Sequence, residues 1–305
     1  MPELPDIELY LHALRERVQG KPMKDARLKS VFLLRTVDPS LDSMKGREVR
    51  GFRRIGKRIV FEMGELEGEP VFMVFHLMIS GRFQWKKPGA KLGGPDLAAF
   101  DFAEGTLVMT EASKKKRAKL HIVRGEAALA EHDPGGIDPL TASVSSFGEA
   151  LRAHNHTIKR ALTDPRIFSG IGNAYSDEIL FEAKLPPHKW TSRLTDDEVG
   201  RLHAAVAATL KEWTRRLIDE LQGAWPKKVT AFRPDMKVHG KYGEPCVRCG
   251  EKIQRVAFAS NEMNYCATCQ NEGKLLADRG LSRLLKGDWP KTLEQLEEMK
   301  RERKA

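Results

Sequence analysis

Four cysteines near the C-terminal end of this 305-residue chain constrain its fold more than any other feature. They form two Cys-x-x-Cys pairs, Cys246 with Cys249 and Cys266 with Cys269, and sixteen residues separate the pairs. This spacing is typical of a zinc ribbon, in which thiolates hold one Zn²⁺ in a closed tetrahedral shell. A redox motif needs only one such pair. The sequence therefore predicts one structural zinc ion and no open coordination position for a substrate.

The chain carries more positive than negative charge. It has 52 Lys and Arg against 42 Asp and Glu, which gives a net charge of +10. The surplus cations must lie on the surface, where they favour a polyanionic partner, nucleic acid ahead of membrane. No apolar run is long enough to cross a membrane, and the N-terminus lacks the basic-then-apolar order of a secretory signal. We therefore expect a cytoplasmic, nucleoid-associated protein without a membrane partner.

The first 131 residues predict one helix followed by many short strands. From Ile7 to Val18, apolar residues recur at spacings of four and three, which places them on one helix face. Short apolar segments separated by glycines follow, a pattern typical of an antiparallel sandwich or barrel-like arrangement. The predicted strands span 27–34, 48–54, 58–63, 71–78, 98–102, 106–110 and 120–123.

The rest of the chain predicts helices, then the ribbon. Residues 132–141 are rich in Pro, Gly and Asp and read as a linker. Thr195 and Glu198 form a capping box that opens a long amphipathic helix. Shorter helices are predicted at 146–154, 156–163 and 171–183, and the ribbon hairpin at 254–259 and 263–265.

The predicted fold class is therefore α+β and multidomain. The expected divisions are an N-terminal helix with an antiparallel β-sandwich at 1–131, the linker at 132–141, a helical domain at 142–225, the zinc ribbon at 236–270 and a charged extension at 271–305.

The Pro2-Glu3 pair at the N-terminus has a chemical and a structural interpretation. Removal of Met1 would leave a secondary amine beside a carboxylate. An α-amino group, with a pKa near ~8, is neutral far more often at pH 7 than a lysine, so it is the better nucleophile toward a sugar carbon. Its iminium stays cationic at any pH, and Glu3 could shuttle protons. Alternatively, Pro5 and Asp6 mark an ordinary helix start.

A second candidate site lies at Gly170-Ile171-Gly172-Asn173, directly before a predicted helix. Backbone N–H groups at the positive end of a helix dipole bind phosphate. The alternative is a tight turn between helices.

These features occur in the order found in the formamidopyrimidine-DNA glycosylase and endonuclease VIII family, which the chain resembles from residue 2 to about 270. The opening Pro-Glu-Leu-Pro is more similar to the formamidopyrimidine branch. The resemblance implies that the helical domain is a helix-two-turn-helix DNA-binding domain. The shared motifs are Pro-Glu-Leu-Pro-Asp-Ile-Glu at 2–8, Gly-Lys-Arg at 56–58, His-Leu-Met-Ile-Ser-Gly at 76–81, Gly-Ile-Gly-Asn-Ala-Tyr-Ser-Asp-Glu at 170–178 and the cysteine ribbon.

By this resemblance, the protein is a bifunctional DNA glycosylase and AP lyase of base excision repair. It would excise oxidised bases of the formamidopyrimidine or 8-oxoguanine type from damaged double-stranded DNA, as a monomer. Pro2 would be the Schiff-base nucleophile at the deoxyribose C1′, with Glu3 as its acid and base. Lys57 would assist beside the lesion phosphate. Burial could instead depress the pKa of Lys57 and make it the nucleophile.

The resemblance also implies the DNA contacts. Lys57 and Arg58 would hold one backbone phosphate and Gly172 with Asn173 another. Ile79 stands where the family usually has a methionine that fills the space left by the flipped base.

Other positions depart from the family pattern. The family's Arg-Arg-Phe-Gly segment, which intercalates beside the opposite base, is replaced by a run that can contact phosphates but has no aromatic wedge. A usual ribbon arginine is replaced by Asn261, and the tail at 271–305 exceeds the family's usual end. The basic run consists of Lys114, Lys115, Lys116 and Arg117.

Two other functions remain open from the residues alone. One is a lyase that acts mainly on abasic sites, because an abasic sugar needs neither a lesion pocket nor a wedge. The other is a non-catalytic protein that binds damaged DNA. The retained Pro2-Glu3 pair favours an enzyme, since a binding module has no use for an amine there.

Overall fold

The computed structural model of the protein describes residues 1–230, 232–258, 262–277, 283 and 288–302. The chain forms two compact units. The first comprises Met1–Gly136 and Lys211–Ala231, and the second comprises Ile137–Leu210 and Phe232–Ala305. None of the helices within the described residues is long and apolar enough to span a membrane.

The first unit begins with helix α1, Leu4–Val18. The predicted apolar stripe is confirmed, because Ile7, Leu11, Leu14 and Val18 are all buried. Proline at the start suits a first turn whose N–H groups have no helical partner, and Asp6 complements the positive end of the dipole.

Eight antiparallel strands follow in two sheets. One sheet has the order β1-β6-β7-β5 and the other β2-β3-β4-β8. The strands are β1 Asp25–Leu28, β2 Gly51–Ile55, β3 Arg58–Leu66, β4 Glu69–His76, β5 Gly81–Lys86, β6 Asp96–Asp101, β7 Thr106–Glu111 and β8 Lys119–Arg124. A short helix, α2, Glu126–Ala130, closes the series.

The core of this unit lies between the two sheets. The Phe75 ring is 5.0 Å from Phe61 in its own sheet, and 5.2 and 5.3 Å from Phe83 and Phe100 in the facing sheet. The contacts with Phe83 and Phe100 are edge-to-face and add to the stabilisation from buried apolar area. The α+β class with a sandwich is thus confirmed.

Two strand predictions differ from the structure. The strand predicted at 27–34 ends at Leu28, and Val31–Leu33 form a 3-10 turn instead. Strand β5 is absent from the prediction, although Phe83 and Gln84 alternate between buried and exposed. This alternation is too short to predict a strand from the sequence. Residues 81–86 form a strand because they pair with β7 along its whole length.

The second unit begins with helices and continues into a hairpin region. The helices are α3 Val144–Arg152, α4 Ile158–Thr163, α5 Asn173–Glu182 and α6 Asp196–Asp219, which continues into the first unit. The capping box predicted for α6 is confirmed: Thr195 N–H donates to Glu198 Oε2 at 2.9 Å, and Glu198 N–H donates to Thr195 Oγ1 at 3.3 Å.

The ribbon hairpin pairs β9, Gln254–Ala257, with β10, Glu262–Tyr265, and is followed by α7, Ala267–Asn271. Part of the tail forms α8, Leu293–Glu302. Its Leu293 packs with Leu275 and Leu276 against the buried hairpin residues Val256, Met263, Tyr265 and Ala267. This part of the extension therefore adds to the ribbon core.

The turn before β5 requires glycine at its last position. Gly81 N–H donates to Leu77 O at 2.9 Å, and a Cβ on Gly81 would lie 2.2 Å from that same oxygen. Backbone cannot move away as a flexible side chain can, so the turn excludes any larger residue.

We expect Gly81→Ala to destabilise the protein by roughly 2 kcal/mol or more, because the new methyl group would disrupt this turn. Thermal unfolding of the purified variant would measure it. Gly94→Ala is the matched control, since a Cβ there meets nothing within 4 Å. Equal melting temperatures for the two variants would contradict the steric argument.

Candidate functional site

The first residues of the chain are buried at the start of α1. Pro2 is buried, and Glu3 is only 3% exposed. Glu3 N–H donates to Asp6 Oδ2 at 3.0 Å, and Asp6 is fully buried. The helix start therefore fixes the backbone of Pro2 and Glu3. The structural and chemical interpretations of this pair are compatible, because the cap holds the same residues that the chemistry would use.

The terminal amine of this chain belongs to Met1, so the Pro2 nitrogen is part of a peptide bond. Burial lowers the pKa of the Met1 amine, and the nearby charges of Arg82 and Lys57 lower it further, while Glu3 and Asp6 raise it. An amine at this end of the chain is thus desolvated, which favours the neutral, nucleophilic form.

Lys57 lies in the turn between β2 and β3 and is half-buried. Burial lowers the pKa of its ammonium group, while the Glu3 carboxylate raises it. The structure therefore brings Lys57 close enough to Glu3 for their charges to interact. The neighbouring Arg58 begins β3 and is also half-buried. The catalytic roles of Pro2, Glu3 and Lys57 stay predictions.

Arg82 organises the turn that carries Ile79. Its guanidinium donates to Gly81 O at 2.6 Å, to Ile79 O at 3.1 Å and to Val229 O at 2.6 Å. The Ile79 side chain is 55% exposed, so it is available to contact a partner.

Sequence reasoning gave neither Arg82 nor Asp6 a role in the site. Asp6 could have been found, because an acid three residues after the helix cap is a known signature.

The basic run lies in the exposed loop between β7 and β8. Glu111, which is 1% exposed, anchors the loop: its Oε2 accepts N–H bonds from Arg117 at 2.8 Å and Ala118 at 3.1 Å. The Lys116 ammonium also donates to Glu111 O. All four side chains of the run, Lys114, Lys115, Lys116 and Arg117, are exposed.

In the second unit, Gly172 caps α5 and Asn173 is its first residue. Asn173 Nδ2 donates to Glu262 O in β10 at 2.8 Å. Lys159 Nζ donates to Asn173 O at 2.8 Å and to Asp177 Oδ1 at 2.7 Å. The turn proposed to hold a phosphate is therefore fixed by α4 on one side and by the ribbon hairpin on the other.

Two buried carboxylates on α5 attach the ribbon segment to this helix. Glu178 accepts N–H bonds from three consecutive residues, at 2.8 Å from Lys237 and 2.9 Å from both Val238 and His239. Asp177 Oδ2 lies 2.8 Å from His239 Nδ1. Burial raises the pKa of Glu178, although the three N–H bonds oppose that shift. Bonds from three consecutive residues to one buried side chain hold the segment in place.

The four cysteine sulfurs fit one tetrahedral zinc ion. All four Sγ atoms lie within 4.8 Å of one another. Cys246 Sγ is 3.9 Å from Cys269 Sγ, and Cys249 Sγ is 3.5 Å from Cys266 Sγ. Zn–S bonds of ~2.3 Å give sulfur separations of about 3.8 Å in a tetrahedron, whereas a disulfide is only ~2.05 Å long. The ribbon therefore holds one structural zinc. Asn261 lies outside the described residues.

Zinc removal should unfold the ribbon, because closed thiolate sites supply much of the folding energy of such small modules. We expect one zinc per chain by elemental analysis and loss of that zinc in Cys249→Ser. Far-ultraviolet circular dichroism should retain the sandwich signal after chelation. Reduced, freshly purified protein without zinc would contradict the assignment.

Three family models match the chain. The formamidopyrimidine-DNA glycosylase N-terminal domain matches residues 1–133, the H2TH domain of the same enzymes matches 136–217, and the zinc finger found in FPG and IleRS matches 243–271.

Similar proteins and structures agree with these matches. The formamidopyrimidine-DNA glycosylase of Listeria monocytogenes is 28% identical over 281 residues, covering 88% of this chain and 100% of that protein. An uncharacterised formamidopyrimidine-DNA glycosylase-like protein of Mycobacterium tuberculosis is 41% identical over 151 residues, 50% of this chain and 94% of that protein.

Two solved structures of the Lactococcus lactis enzyme, one bound to DNA with an AP site and one to DNA with Fapy-dG, each superpose with a TM-score of 0.76 at 25% identity. Each superposition covers 88% of this chain. It covers 99% of the chain bound to AP-site DNA and 100% of the chain bound to Fapy-dG DNA.

Proposed function

Because the chain belongs to the formamidopyrimidine-DNA glycosylase family, we propose that it is a bifunctional DNA glycosylase and AP lyase that removes oxidised bases in base excision repair. Its partner is damaged double-stranded DNA, as in the Lactococcus lactis structures. The observation that carries the proposal is the buried Pro2-Glu3 pair at the start of α1, with Lys57 close enough for its charge to interact with Glu3.

The chemistry follows from an amine freed at Pro2. Its lone pair attacks C1′ while the glycosidic bond breaks, and the departing base takes a proton from the acid beside it. The ammonium formed by this attack loses its proton, and the C1′–O4′ bond of the sugar ring then breaks as O4′ takes up a proton, which leaves an iminium at C1′. This electron sink allows a C2′ proton to leave with the bond to the 3′ phosphate, and a second elimination releases the 5′ phosphate. In the proposed mechanism, Glu3 moves these protons.

The DNA contacts proposed here involve residues of the turn between β2 and β3, of the start of α5 and of two exposed loops. Lys57 and Arg58 bind one phosphate beside the lesion, and Gly172 and Asn173 bind another through the start of α5. The basic run at 114–117 contacts the backbone. The exposed Ile79 fills the space left when the damaged base leaves the stack.

One observation favours a second candidate, a lyase that acts mainly on abasic sites. The exposed loop at 114–117 contains no aromatic residue that could intercalate beside the opposite base. A panel of lesion-bearing duplexes, each tested for cleavage and for borohydride trapping, separates the two. Activity confined to abasic DNA would select the lyase, and binding without any trapping would select a non-catalytic damage-binding protein.

Several further properties are part of this proposal. The matched ranges support the division into a sandwich domain at 1–131, a helix-two-turn-helix domain at 142–225 and a ribbon at 236–270. We propose that the protein acts as a monomer in the cytoplasm, on nucleoid DNA.

If the Pro2 amine is the nucleophile, borohydride should trap a covalent complex with abasic DNA, and mass spectrometry should place the adduct on residue 2 of the chain without Met1. A leader added before Met1 should abolish trapping, because no amine would then be free at the site. Lys57→Ala should weaken binding yet leave the adduct on Pro2. An adduct on Lys57, formed with a blocked terminus, would overturn the mechanism.

Glu3→Gln should impair base excision more than strand cleavage at a preformed abasic site, because only excision must expel a base with proton assistance. We expect excision to fall by roughly 10²–10⁴-fold. Glu16→Gln, the same change at an exposed position of α1, is the matched control. Equal losses in the two assays would indicate that Glu3 acts on the sugar steps alone.

A further inference from the structure

The outer face of the sheet β2-β3-β4-β8 carries a row of cationic and imidazole side chains. Arg58 on β3 pairs in register with His76 on β4, and His76 pairs with Lys119 on β8. Residues directly opposite each other on paired strands point to the same face, with Cβ atoms ~5 Å apart. The strand register therefore places these three side chains side by side.

Two histidines extend the row. His121 lies two residues after Lys119 on β8 and so projects from the same face. Its ring centroid is 4.6 Å from that of His132, which lies just after α2. We call Arg58, His76, Lys119, His121 and His132 the histidine row. Four of its members are half-buried, and Lys119 is exposed.

Part of this sheet face is apolar, and an ion pair between Arg53 and Glu62 lies on the same face beyond that part. A small buried cluster lies next to the row, two residues further along each strand. It consists of Val60, Phe72, Val74, Val123 and Leu129. The histidine row thus borders a low-dielectric surface, where interactions between charges are stronger than in water.

The row has little negative charge to balance it. Within the described residues, Arg58 and Lys119 form no ion pair, although Asp133 acts on Arg58 and Glu131 on His132. The charge of Lys57 also acts on His76, and that of Arg35 acts on His121. Arg58 and Lys119 flank His76 on the two neighbouring strands, and their charges without an ion-pair partner favour a bound anion.

We propose that the phosphate site beside Lys57 extends along the histidine row to Lys119, His121 and His132, and that this extension takes up protons when the DNA backbone binds. The identity of the anion rests on the proposed function, since Arg58 directly follows Lys57. A phosphodiester placed among Arg58, Lys119 and the imidazoles would accept charge-assisted hydrogen bonds from each protonated ring. His121 and His132 are thereby added to the DNA-binding residues.

The direction of the pH effect follows from the free protein. Burial, followed by the surrounding cations, lowers the pKa of both His76 and His121 to about 4, and burial and Arg58 lower that of His132. These rings are therefore neutral near pH 7 without DNA. A phosphate stabilises the imidazolium and raises each pKa, so affinity increases as pH falls through the bound-state pKa and levels off near pH 4.

The test is the affinity for an undamaged duplex at fixed salt, measured by fluorescence anisotropy at pH 7.5 and 5.5. We expect the wild type to bind about tenfold more tightly at pH 5.5 than at pH 7.5, which corresponds to an average uptake of about half a proton on binding. The double variant His121→Asn, His132→Asn should lose most of this gain. His12→Asn, on the exposed side of α1, should keep it. A gain that survives in the double variant overturns the proposal.

Two further measurements complete the test. Calorimetric titration in two buffers of different ionisation enthalpy should show net proton uptake by the wild type, and zero uptake overturns the site. Lys119→Ala changes an exposed side chain and should leave the fold intact. It should weaken binding at both pH values and reduce the slope of log affinity against log salt concentration by about one. An unchanged slope also counts against the site.

Borohydride trapping on abasic DNA, run with the same proteins, distinguishes this inference from the proposed function. Trapping without pH-linked binding rejects the histidine row and keeps the enzyme. Proton-linked binding without trapping supports the phosphate site at the histidine row and contradicts the proposed enzymatic function.

Discussion

The candidate active site depends on the burial of the chain's first residues at the start of α1. The bond from Glu3 N–H to Asp6 Oδ2 fixes the backbone beside Pro2, and partial burial lowers the pKa of the Met1 amine that precedes it. A neutral amine is a prerequisite for attack on a sugar carbon, and desolvation favours that form without a dedicated base. The sheet contributes Lys57 to the same region, where its charge interacts with Glu3.

The second unit uses buried carboxylates and a metal where the first uses a large apolar core. Asp177 and Glu178 fix residues 237–239 against α5, and four thiolates hold the ribbon together. A module this small cannot bury enough apolar surface to fold independently, so zinc supplies the missing stabilisation. The described part of the tail adds Leu293 to the ribbon core.

Positive charge is concentrated on particular surfaces of the chain. The basic run at 114–117 is exposed and held by Glu111, whereas the histidine row is half-buried and borders apolar side chains. These environments predict different behaviour: exposed cations respond to salt, and half-buried imidazoles respond to pH. A DNA-binding protein that has both would bind the backbone with an affinity that depends on each.

Patterns within one segment were enough to determine the zinc ribbon, the long helix α6 with its capping box, the apolar face of α1 and most strands. Each depends on residues a few positions apart, so the sequence carries the signal locally. Membership of the family follows from motifs in order along the chain.

The tertiary structure decided the remaining features, which depend on residues far apart in sequence. Strand β5 exists because β7 pairs with it, and β1 ends at Leu28 because the chain turns there. The burial around Lys57 and the exposure of Ile79 follow from packing. Arg58, His76 and Lys119 become neighbours only through the register of three strands, and a shift of one residue would turn a strand's side chains to the opposite face.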